Sequence, residues 1–523
     1  MQYKTPGVYI VEKNAFPNSV VEVETAIPVF LGYTETAADG PVSRAGIPTH
    51  IGSMADYVRI FGGPPVPKFS LVPSADNKSF VAALTQKFFL YHGVSLYFMN
   101  GGGPAYVISV GTFEGVSTNG MKATDFMPPT DPDGIKETPF DALQKVLEVT
   151  MIVAPETTLL DSPDDCYTFW QLALQHCGKM QSRMALIDIY GGDQKRSYDA
   201  ETDVISGNTD GFREKIGTNF LNYGASYYPW LNFEIVDAST VSYDSLDNAG
   251  LAALVTGLGV EMAAMKPSPS PQMQSKMSKL YGDIGQRLPP DAVPLPAGTE
   301  SRTAVIARNH NQLKLVSPQY KRVAMDLLKL ANQLPPACAM AGVYAQTDNN
   351  VGVWKAPANT SIIGAVSPMV DISHDDQEDL NMPLDGRAVN AIRTIPVRGL
   401  VVWGARTLDG NSDDWRYINV RRTLMMLEQS IMFAMLTYVF APNVGSTWVS
   451  VQNMITNFLI NQWKDGALAG AKAQEAFSVQ VGLGSTMTSE DIQAGYMRVM
   501  IKVAVSHPAE FIELTFQQQQ QIS

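Results

Sequence analysis

The chain has 523 residues, of which 45% are hydrophobic and 17% charged, so it is long enough to bury large cores in two or three domains. Its formal net charge of -13 and the lack of a basic run exclude a binder of the nucleic-acid backbone, which needs clustered lysine and arginine. The three cysteines, Cys166, Cys177 and Cys338, form no CxxC pair, and we expect buried thiols in a protein made in a reducing compartment.

Export and membrane insertion are not indicated. The first residues, MQYKTPG, contain no apolar h-region, so we expect neither a secretory signal nor a membrane anchor. The most apolar long stretch, 423–440, carries Glu428 and Gln429 and falls short of the about 20 residues that a bilayer span requires. It predicts a buried helix.

The N-terminal part of the chain predicts an extended arm followed by α/β material. Residues 1–25 alternate short β-prone runs with prolines and hold too few apolar residues to make a core. The pattern then predicts a strand at 28–33, a helix by the spacing of 80–91, and strands at 96–99 and 106–110 on either side of Gly101 to Gly103.

The middle and the C-terminal part repeat this mixture around an insertion. The patterns predict helices at 141–147, 166–180, 319–334, 417–440 and 448–464, and strands at 149–154, 184–189, 400–403 and 496–505. The stretch 236–336 clusters prolines around short helical pieces, which indicates an inserted element. The last run, 511–516, places Ile512, Leu514 and Phe516 on one face. We therefore predict that both ends of the chain form strands that can pair with a sheet.

Candidate catalytic and metal sites are weak. Gly101 to Gly103 lack the following Gly-Lys-Ser/Thr of a phosphate loop, and the six histidines show no HxxxH or HExxH pairing. The acidic run beside His374, residues 375–379, lacks the spacing of a calcium loop and favours a solvated helix start. Ser485 lies among turn residues with no GxSxG motif. We therefore predict no catalytic residue, cofactor or metal.

Several unusual peptides occur in a fixed order along the chain. They are TPGVY (5–9), YYPWL (227–231), LPPACAMAGVY (334–344), NNVGVWKAPAN (349–359), GLVVWGARTL (399–408), WRYINVRRTL (415–424), VFAPN (439–443), WKDGALAG (463–470) and PAEFI (508–512). Together they resemble the contractile tail sheath family of phages and related injection systems. Two departures from its pattern are Ala441, where an acidic residue is usual, and Ala337-Cys338, where Ser-Gly is commoner.

The resemblance implies a multi-domain, mixed α/β fold whose core is built from N- and C-terminal segments, with strand arms at both ends and outward-facing insertions. The corresponding segments are an N-terminal arm (1–25), a core α/β segment (26–110), a loop or outer insertion (111–140), an α/β sheath domain (141–235), an inserted outer element (236–335), a C-terminal domain facing the inner tube (336–505) and a C-terminal arm (506–523).

The function implied is that of a structural subunit, not an enzyme. Such subunits stack as hexameric rings in a helical sheath around an inner tube, store energy in the extended state and contract. Its implied partners are copies of itself, the tube protein, and baseplate and terminal cap proteins, with no nucleic acid and no membrane insertion. We expect assembly in the bacterial cytoplasm into a phage tail or an injection particle.

The site residues follow from the same resemblance, together with the alternation at both ends. We expect the arms to add strands to neighbouring subunits through Val8, Tyr9, Ile10, Val11, Phe511, Ile512, Leu514 and Phe516. Lys464, Asp465 and Lys472 are candidates for contact with the inner tube, although they are equally compatible with ordinary surface charges. Arg421 and Arg422 favour pairing inside the subunit, and Trp354, Trp403 and Trp415 favour the core.

Two alternatives belong to other classes. An α/β hydrolase would need a nucleophile, a base and an oxyanion site, which the sequence does not display. A sheath of a recycled, type VI-like secretion apparatus is the second, but such sheaths are usually built from two different chains, whereas the peptides here resemble the single-chain type.

Overall fold

The computed structural model describes residues 19–74, 79–128, 138–265, 269–290 and 299–514. The chain divides into two compact units. The larger unit comprises Ala26–Gln346 and Pro357–Arg416, and the smaller unit comprises Met1–Thr25, Thr347–Ala356 and Tyr417–Ser523. Each unit is therefore assembled from segments that are distant in the sequence.

The larger unit contains most of the strands. In chain order its strands are β1 (Pro28–Thr34), β2 (Ala38–Asp39), β3 (Val42–Ser43), β4 (Thr49–Ile51), β5 (Lys68–Pro73), β6 (Phe80–Gln86), β7 (Ala105–Thr112), β8 (Met151–Val153), β9 (Met184–Asp188), β10 (Gly224–Tyr228), β11 (Leu231–Phe233), β12 (Gln333–Leu334), β13 (Ala365–Pro368), β14 (Asn390–Ile395) and β15 (Gly399–Val402).

Its helices lie between these strands. They are α1 (Met54–Phe61), α2 (Leu90–Met99), α3 (Phe113–Asn119), α4 (Ala123–Phe126), α5 (Pro139–Gln144), α6 (Pro163–Met180), α7 (Phe212–Lys215), α8 (Asn248–Ala264), α9 (Pro271–Ile284), α10 (Arg302–Val316), α11 (Pro318–Ala331), α12 (Ala337–Asn350), whose last turn belongs to the smaller unit, and α13 (His374–Asn381). Short 3₁₀ turns occur at Pro155–Leu159, Leu221–Tyr223 and Tyr243–Ser245.

An eight-stranded sheet forms the centre of the larger unit, in the order β15-β14-β10-β9-β8-β1-β7-β4. The six inner strands are parallel, while β4 and β15 pair antiparallel at the two edges. Every residue of β1, β8, β9 and β10 is buried, as expected for parallel strands with both faces covered. The fold is thus mixed α/β, which confirms the predicted class.

The insertion forms a core of its own within the larger unit. Helices α8 to α11 pack around the hairpin β5–β6, and their buried side chains include Phe69, Leu71, Leu254, Ile284 and Leu327. The helix predicted at 319–334 is α11. Residues 236–335 therefore complete their core with a hairpin formed much earlier in the chain, by Lys68–Pro73 and Phe80–Gln86.

The smaller unit is built on two long helices and one hairpin. Its elements are α14 (Ile418–Met435), a 3₁₀ turn (Leu436–Tyr438), α15 (Gly445–Asp465), α16 (Ala473–Ala476), β16 (Phe477–Val481), α17 (Ser489–Gln493) and β17 (Val499–Val503). Buried side chains of α14 and α15, including Leu427, Ile455 and Leu459, form its core with Val479 of β16. The helices predicted at 417–440 and 448–464 correspond to α14 and α15.

Two predictions at residues 80–99 are wrong. Residues 80–86 form strand β6, and residues 96–99 are the last turn of α2, not a strand. The apolar run before Asn100 is too short and unbroken to carry a period, so strand and helix were indistinguishable from it. Asn100 ends the helix, since its Nδ2 donates to the Leu96 carbonyl at 2.9 Å, and Gly101 then adopts φ 91°. The glycines therefore join a helix to a strand.

The buried and exposed positions mostly follow expectation. Cys166, Cys177 and Cys338 are buried and free, as predicted. Trp403 was predicted in a core, but the residue is 38% exposed, although its N–H still donates to the Ala391 carbonyl of β14 at 2.8 Å.

Candidate functional site

The hairpin β16–β17 is an antiparallel pair with an open edge. Its register runs from Phe477 opposite Val503 to Val481 opposite Val499. At the end of this ladder the Ala504 N–H donates to the Ala476 carbonyl at 2.8 Å. Because hydrogen-bonded pairs alternate along an antiparallel ladder, Val499, Ile501 and Val503 direct their N–H and C=O groups away from β16. In the described part of the chain no strand pairs with this outer edge of β17.

The other edge of the hairpin is partly used. By the same alternation Val479 directs its carbonyl away from β17, and the Gln452 side chain of α15 donates to it at 2.9 Å. Helix α15 also packs against β16 and buries Val479. The outer edge of β17 is thus the better acceptor for an additional strand.

An apolar groove lies beside that edge. It has a volume of about 420 Å³, and its wall on the strand side is formed by Met497, Val499, Ile501 and Val503. Its remaining lining residues come from the two helices: Leu424, Leu427, Glu428, Ile431, Met432 and Met435 of α14, and Ile455 and Leu459 of α15. Side chains from a strand added to β17 would enter this groove, because successive strands of one sheet share a face.

Glu428 is the charged residue of the groove. Desolvation by its apolar neighbours raises the pKa of the carboxyl group, and Arg421 of the same helix lowers it by a smaller amount. Among the described residues no donor forms a hydrogen bond with this carboxylate. A partner that covers the groove must therefore supply a cation or a hydrogen-bond donor, since an unpaired buried carboxylate is costly.

Residues of the peptides NNVGVWKAPAN and WRYINVRRTL make contacts that stabilise the smaller unit. Arg422 makes a bidentate ion pair with Asp348, with Nη–Oδ distances of 2.9 and 2.6 Å, and both side chains are at most 5% exposed. Asn419 donates its Nδ2 to the carbonyls of Trp354 and Ser506 at 2.9 and 3.1 Å. The predicted role of Arg422 within the subunit is confirmed.

Both chain ends are tied to the smaller unit before they reach the predicted arms. On the N-terminal side the Val23 N–H donates to Ser430 Oγ at 3.1 Å, and Gln462 Nε2 donates to Glu22 at 3.0 Å. On the C-terminal side the Tyr417 hydroxyl donates to Glu510 at 3.0 Å. The anchored part of the chain therefore extends from about residue 20 to residue 510.

The predicted arm residues lie beyond these anchors. Val8, Tyr9, Ile10, Val11 and Phe516 lie outside the described residues. Phe511, Ile512 and Leu514 are 71%, 77% and 73% exposed and form no strand within the single chain. Three large apolar side chains within a short segment, interrupted by Glu513, are thus left in solvent. Their role in pairing with a neighbour stays a prediction.

The candidates for tube contact are exposed. Lys464 and Asp465 end α15, where Gly466 takes the left-handed conformation with φ 96°, and Lys472 precedes α16. No ion pair within the described chain involves these three side chains. They are available to a partner, and the tube contact also stays a prediction.

The weak candidates for chemistry behave as structural residues. The acidic run after Ser373 begins α13, with a capping box between Ser373 and Asp376, and Asp379 pairs with Arg196 and with Arg213. In the described ranges no group of three or more His, Cys, Asp and Glu residues is placed to hold a metal ion. Among the same residues no helix is both long and apolar enough to cross a membrane.

The open edge and Glu428 were missed at the level of sequence. A signal was present, because Met497, Val499, Ile501 and Val503 alternate with Arg498, Met500 and Lys502. This alternation predicts a strand with one apolar face. It does not reveal that the strand lies at an edge, which depends on contacts with residues distant in sequence.

Comparison with known proteins finds similarity to tail sheath proteins. The model of the phage tail sheath C-terminal domain matches residues 411–519, which include the whole of β16, β17 and the groove. The tail sheath protein of Burkholderia phage BcepMu is 26% identical over 221 residues, 41% of this chain and 43% of that protein. A putative prophage major tail sheath protein of Pseudomonas aeruginosa is 26% identical over 142 residues, 36% of its length. The chain thus spans less than half the length of these curated relatives.

Solved structures match over nearly the entire chain. The sheath of the anti-feeding prophage in its contracted state is 27% identical, with a TM-score of 0.57 and coverage of 99% of this chain and 100% of that chain. The contracted sheath of PVC, an extracellular contractile injection system, is 25% identical, with a TM-score of 0.57 and coverage of 99% of both chains. The chain is therefore similar over nearly its entire length to contractile sheath proteins, and its residues 411–519 match the phage tail sheath C-terminal domain.

Proposed function

We propose that this chain is the structural subunit of a contractile sheath, which polymerises helically around an inner tube and drives the tube through a target envelope on contraction. The observation that carries the proposal is the open outer edge of β17, which lies beside an apolar groove in a chain with exposed apolar residues at 511–514. Such an edge and such a segment are complementary parts of a β-augmentation contact.

Strand exchange of this kind builds a polymer. The arm residues and the acceptor edge are different surfaces, so the contact is heterologous and each subunit both gives and receives a strand. Heterologous contacts that do not close into a ring continue as a helix. In support, the similar proteins include a phage tail sheath protein, the helical sheath of the anti-feeding prophage and the sheath complex of an extracellular contractile injection system.

Contraction then requires two packings of one subunit. Arms that leave the body at residues 20 and 510 let folded bodies rotate and slide while the strand contacts persist, and a metastable extended lattice stores the energy of the transition. We propose that the C-terminal domain, 336–505, faces the tube through Lys464, Asp465 and Lys472, and that the element 236–335 faces outward. Stacked hexameric rings, a baseplate, a terminal cap and assembly in the bacterial cytoplasm complete the proposal.

Electron microscopy of the purified chain tests this function. Full-length protein should form hollow striated cylinders, and deletion of residues 1–18 should abolish them while leaving a folded subunit. The deletion should stop before Val23 and Thr25, because these residues are hydrogen-bonded within the smaller unit and their loss would destabilise it. Discrete particles from the full chain, with no cylinders at any concentration, would contradict the proposal.

A further inference from the structure

We infer that the larger unit contains an anion-binding site at the carboxyl edge of its parallel sheet, and that the carboxylate of Glu156 fills this site as an internal ligand. The site accepts carboxylates, and with Glu156 in place it is closed to free anions. Such a site belongs to the larger unit alone and is independent of sheath assembly.

The site lies at the point where the order of the parallel strands reverses. The next parallel strand after β1 is β7, on one side of it, and the following one is β8, on the other side. In open parallel sheets the crevice outside the carboxyl ends of two such strands is the usual place for a ligand. The 3₁₀ turn Pro155–Leu159 follows β8 directly and carries Glu156 at this edge.

Three main-chain N–H groups converge on the Glu156 carboxylate. Phe89, the N-cap residue of α2, and Leu90, its first helical residue, donate to Oε1 at 2.9 and 3.1 Å. The Tyr33 N–H donates to Oε2 at 2.5 Å, directly after the register of β1 against β7 shifts. The N-terminus of a helix favours an anion through its dipole and its unpaired N–H groups. The carboxylate thus takes the position that a bound anion would take.

Gly32 provides the space for this carboxylate. A Cβ atom at position 32 would lie 2.3 Å from Oε2 of Glu156. The Glu156 side chain is fully buried, and in the described ranges no ion pair involves it. Burial raises the pKa of the carboxyl group to about 7, although the three N–H groups act in the opposite direction. These N–H groups are therefore what compensates the buried charge.

An internal ligand differs from an ordinary helix cap in one measurable respect. When the side chain is removed, the donors and the space remain, so a small free carboxylate can replace it. Formate is the suitable probe, because it presents the same two oxygens without a covalent link to the chain.

Replacement of Glu156 by glycine tests the site. At pH 8, above the pKa of about 7, Glu156→Gly leaves three buried N–H groups unpaired and should lower the melting temperature by about 5 °C or more. Sodium formate should restore about half of this loss or more, with saturation, whereas sodium chloride at equal ionic strength should not. The wild-type protein should respond equally to both salts. The same response of the variant to formate and chloride would overturn the inference.

Two matched variants separate ligand replacement from general stabilisation. Glu156→Gln keeps the size of the side chain but turns an amide NH₂ toward a main-chain N–H, so it should lose stability and gain nothing specific from formate. Gly32→Ala should destabilise the wild-type chain, cost much less in the Glu156→Gly background, and abolish the formate effect there. Formate rescue of Glu156→Gln, or additive losses for Gly32→Ala and Glu156→Gly, would overturn the site.

Refolding covers a Glu156→Gly chain that is insoluble when expressed. The yield of soluble protein after refolding from denaturant should then be higher in formate than in chloride, and equal yields would overturn the inference. A crystal structure of the formate-soaked variant should show formate within hydrogen-bond distance of the Tyr33, Phe89 and Leu90 N–H groups. Formate bound only elsewhere would overturn the assignment as well.

Discussion

The eight-stranded sheet and the two-stranded sheet β16–β17 differ in how their edges end. In the eight-stranded sheet the parallel strands are buried on both faces, and the antiparallel strands β4 and β15 form the edges. The outer side of β15 is occupied as well, since Val402 exchanges hydrogen bonds of 2.8 and 2.9 Å with Asn359 and Thr360. The two-stranded sheet ends instead at β17, beside an unfilled apolar groove. The edge at β15 is therefore occupied within one chain, whereas the edge at β17 is open and, under the proposed function, accepts a strand of another chain.

This difference assigns separate physical tasks to the two sheets. A two-stranded hairpin is marginal by itself, and β16–β17 is held by packing on α15 and by the core of the smaller unit. A third strand would add main-chain hydrogen bonds and bury apolar side chains in the groove. Stability of the subunit should therefore depend on the eight-stranded sheet and the helix core, and polymer formation on the edge of β17.

The largest effect is expected at the edge itself. Ile501→Pro removes an outward-directed N–H and blocks strand addition, while proline is tolerated at the edge of a sheet. We expect complete loss of cylinders by electron microscopy, with a soluble subunit of normal circular dichroism. The matched control is Lys502→Ala on the exposed face of the same strand, which should still assemble. Cylinders formed by Ile501→Pro would show that the edge is not the contact.

Removing the buried ion pair between Arg422 and Asp348 should lower the free energy of unfolding. Arg422→Ala leaves Asp348 buried without its partner, and loss of one member of a buried ion pair costs about 3–5 kcal/mol. Denaturant unfolding followed by tryptophan fluorescence should report this loss. Exposed Arg498, which pairs with Asp491, provides the comparison, since Arg498→Ala should cost less than about 1 kcal/mol. Equal effects would contradict the structural role of Arg422.

Matched truncations compare the two sheets. Leu186→Ala in the fully buried strand β9 should lower the free energy of unfolding by about 2–5 kcal/mol. Val499→Ala beside the groove removes a half-buried side chain and should cost the soluble subunit less than about 1 kcal/mol, but it should weaken assembly. Denaturant unfolding should therefore show the larger loss for Leu186→Ala. Sedimentation of assembled protein should show the larger loss for Val499→Ala.

A pH dependence should arise from the eight-stranded sheet. Burial raises the pKa of Asp188, at the end of β9, to about 8, although the Ala337 N–H donates to it at 2.8 Å. Between pH 4 and 8 the folded chain then binds a proton that the unfolded chain has lost, so stability falls as pH rises through this window. Asp188→Asn should remove that fall and be the more stable protein at pH 8. The same change of melting temperature with pH in both proteins would contradict this prediction.

The smallest effect on the fold is expected at the tube candidates. Lys464→Glu and Lys472→Glu change exposed side chains, so the unfolding free energy should move by less than about 0.5 kcal/mol. Binding to preformed inner tubes, measured by co-sedimentation, should weaken and become less sensitive to salt. Unchanged tube binding would place the contact elsewhere on the smaller unit.

Local patterns in the sequence predicted much of this molecule. Apolar runs located β1, β8 and β9, and helical periodicity located α6, α14 and α15. The pairing of the insertion with β5–β6 could not be predicted, because it joins segments far apart in sequence. For the same reason the sequence predicted a strand near Val499 but neither its open edge nor the groove containing Glu428.

Hydrogen exchange at β17 compares the soluble subunit with the assembled cylinder at the level of single amides. The N–H groups of Val499, Ile501 and Val503 should exchange rapidly in the soluble subunit and become protected in cylinders, while amides of β1 in the buried parallel sheet remain protected in both states. Rapid exchange at these three positions in intact cylinders would contradict the view that β17 receives a strand from a neighbouring subunit.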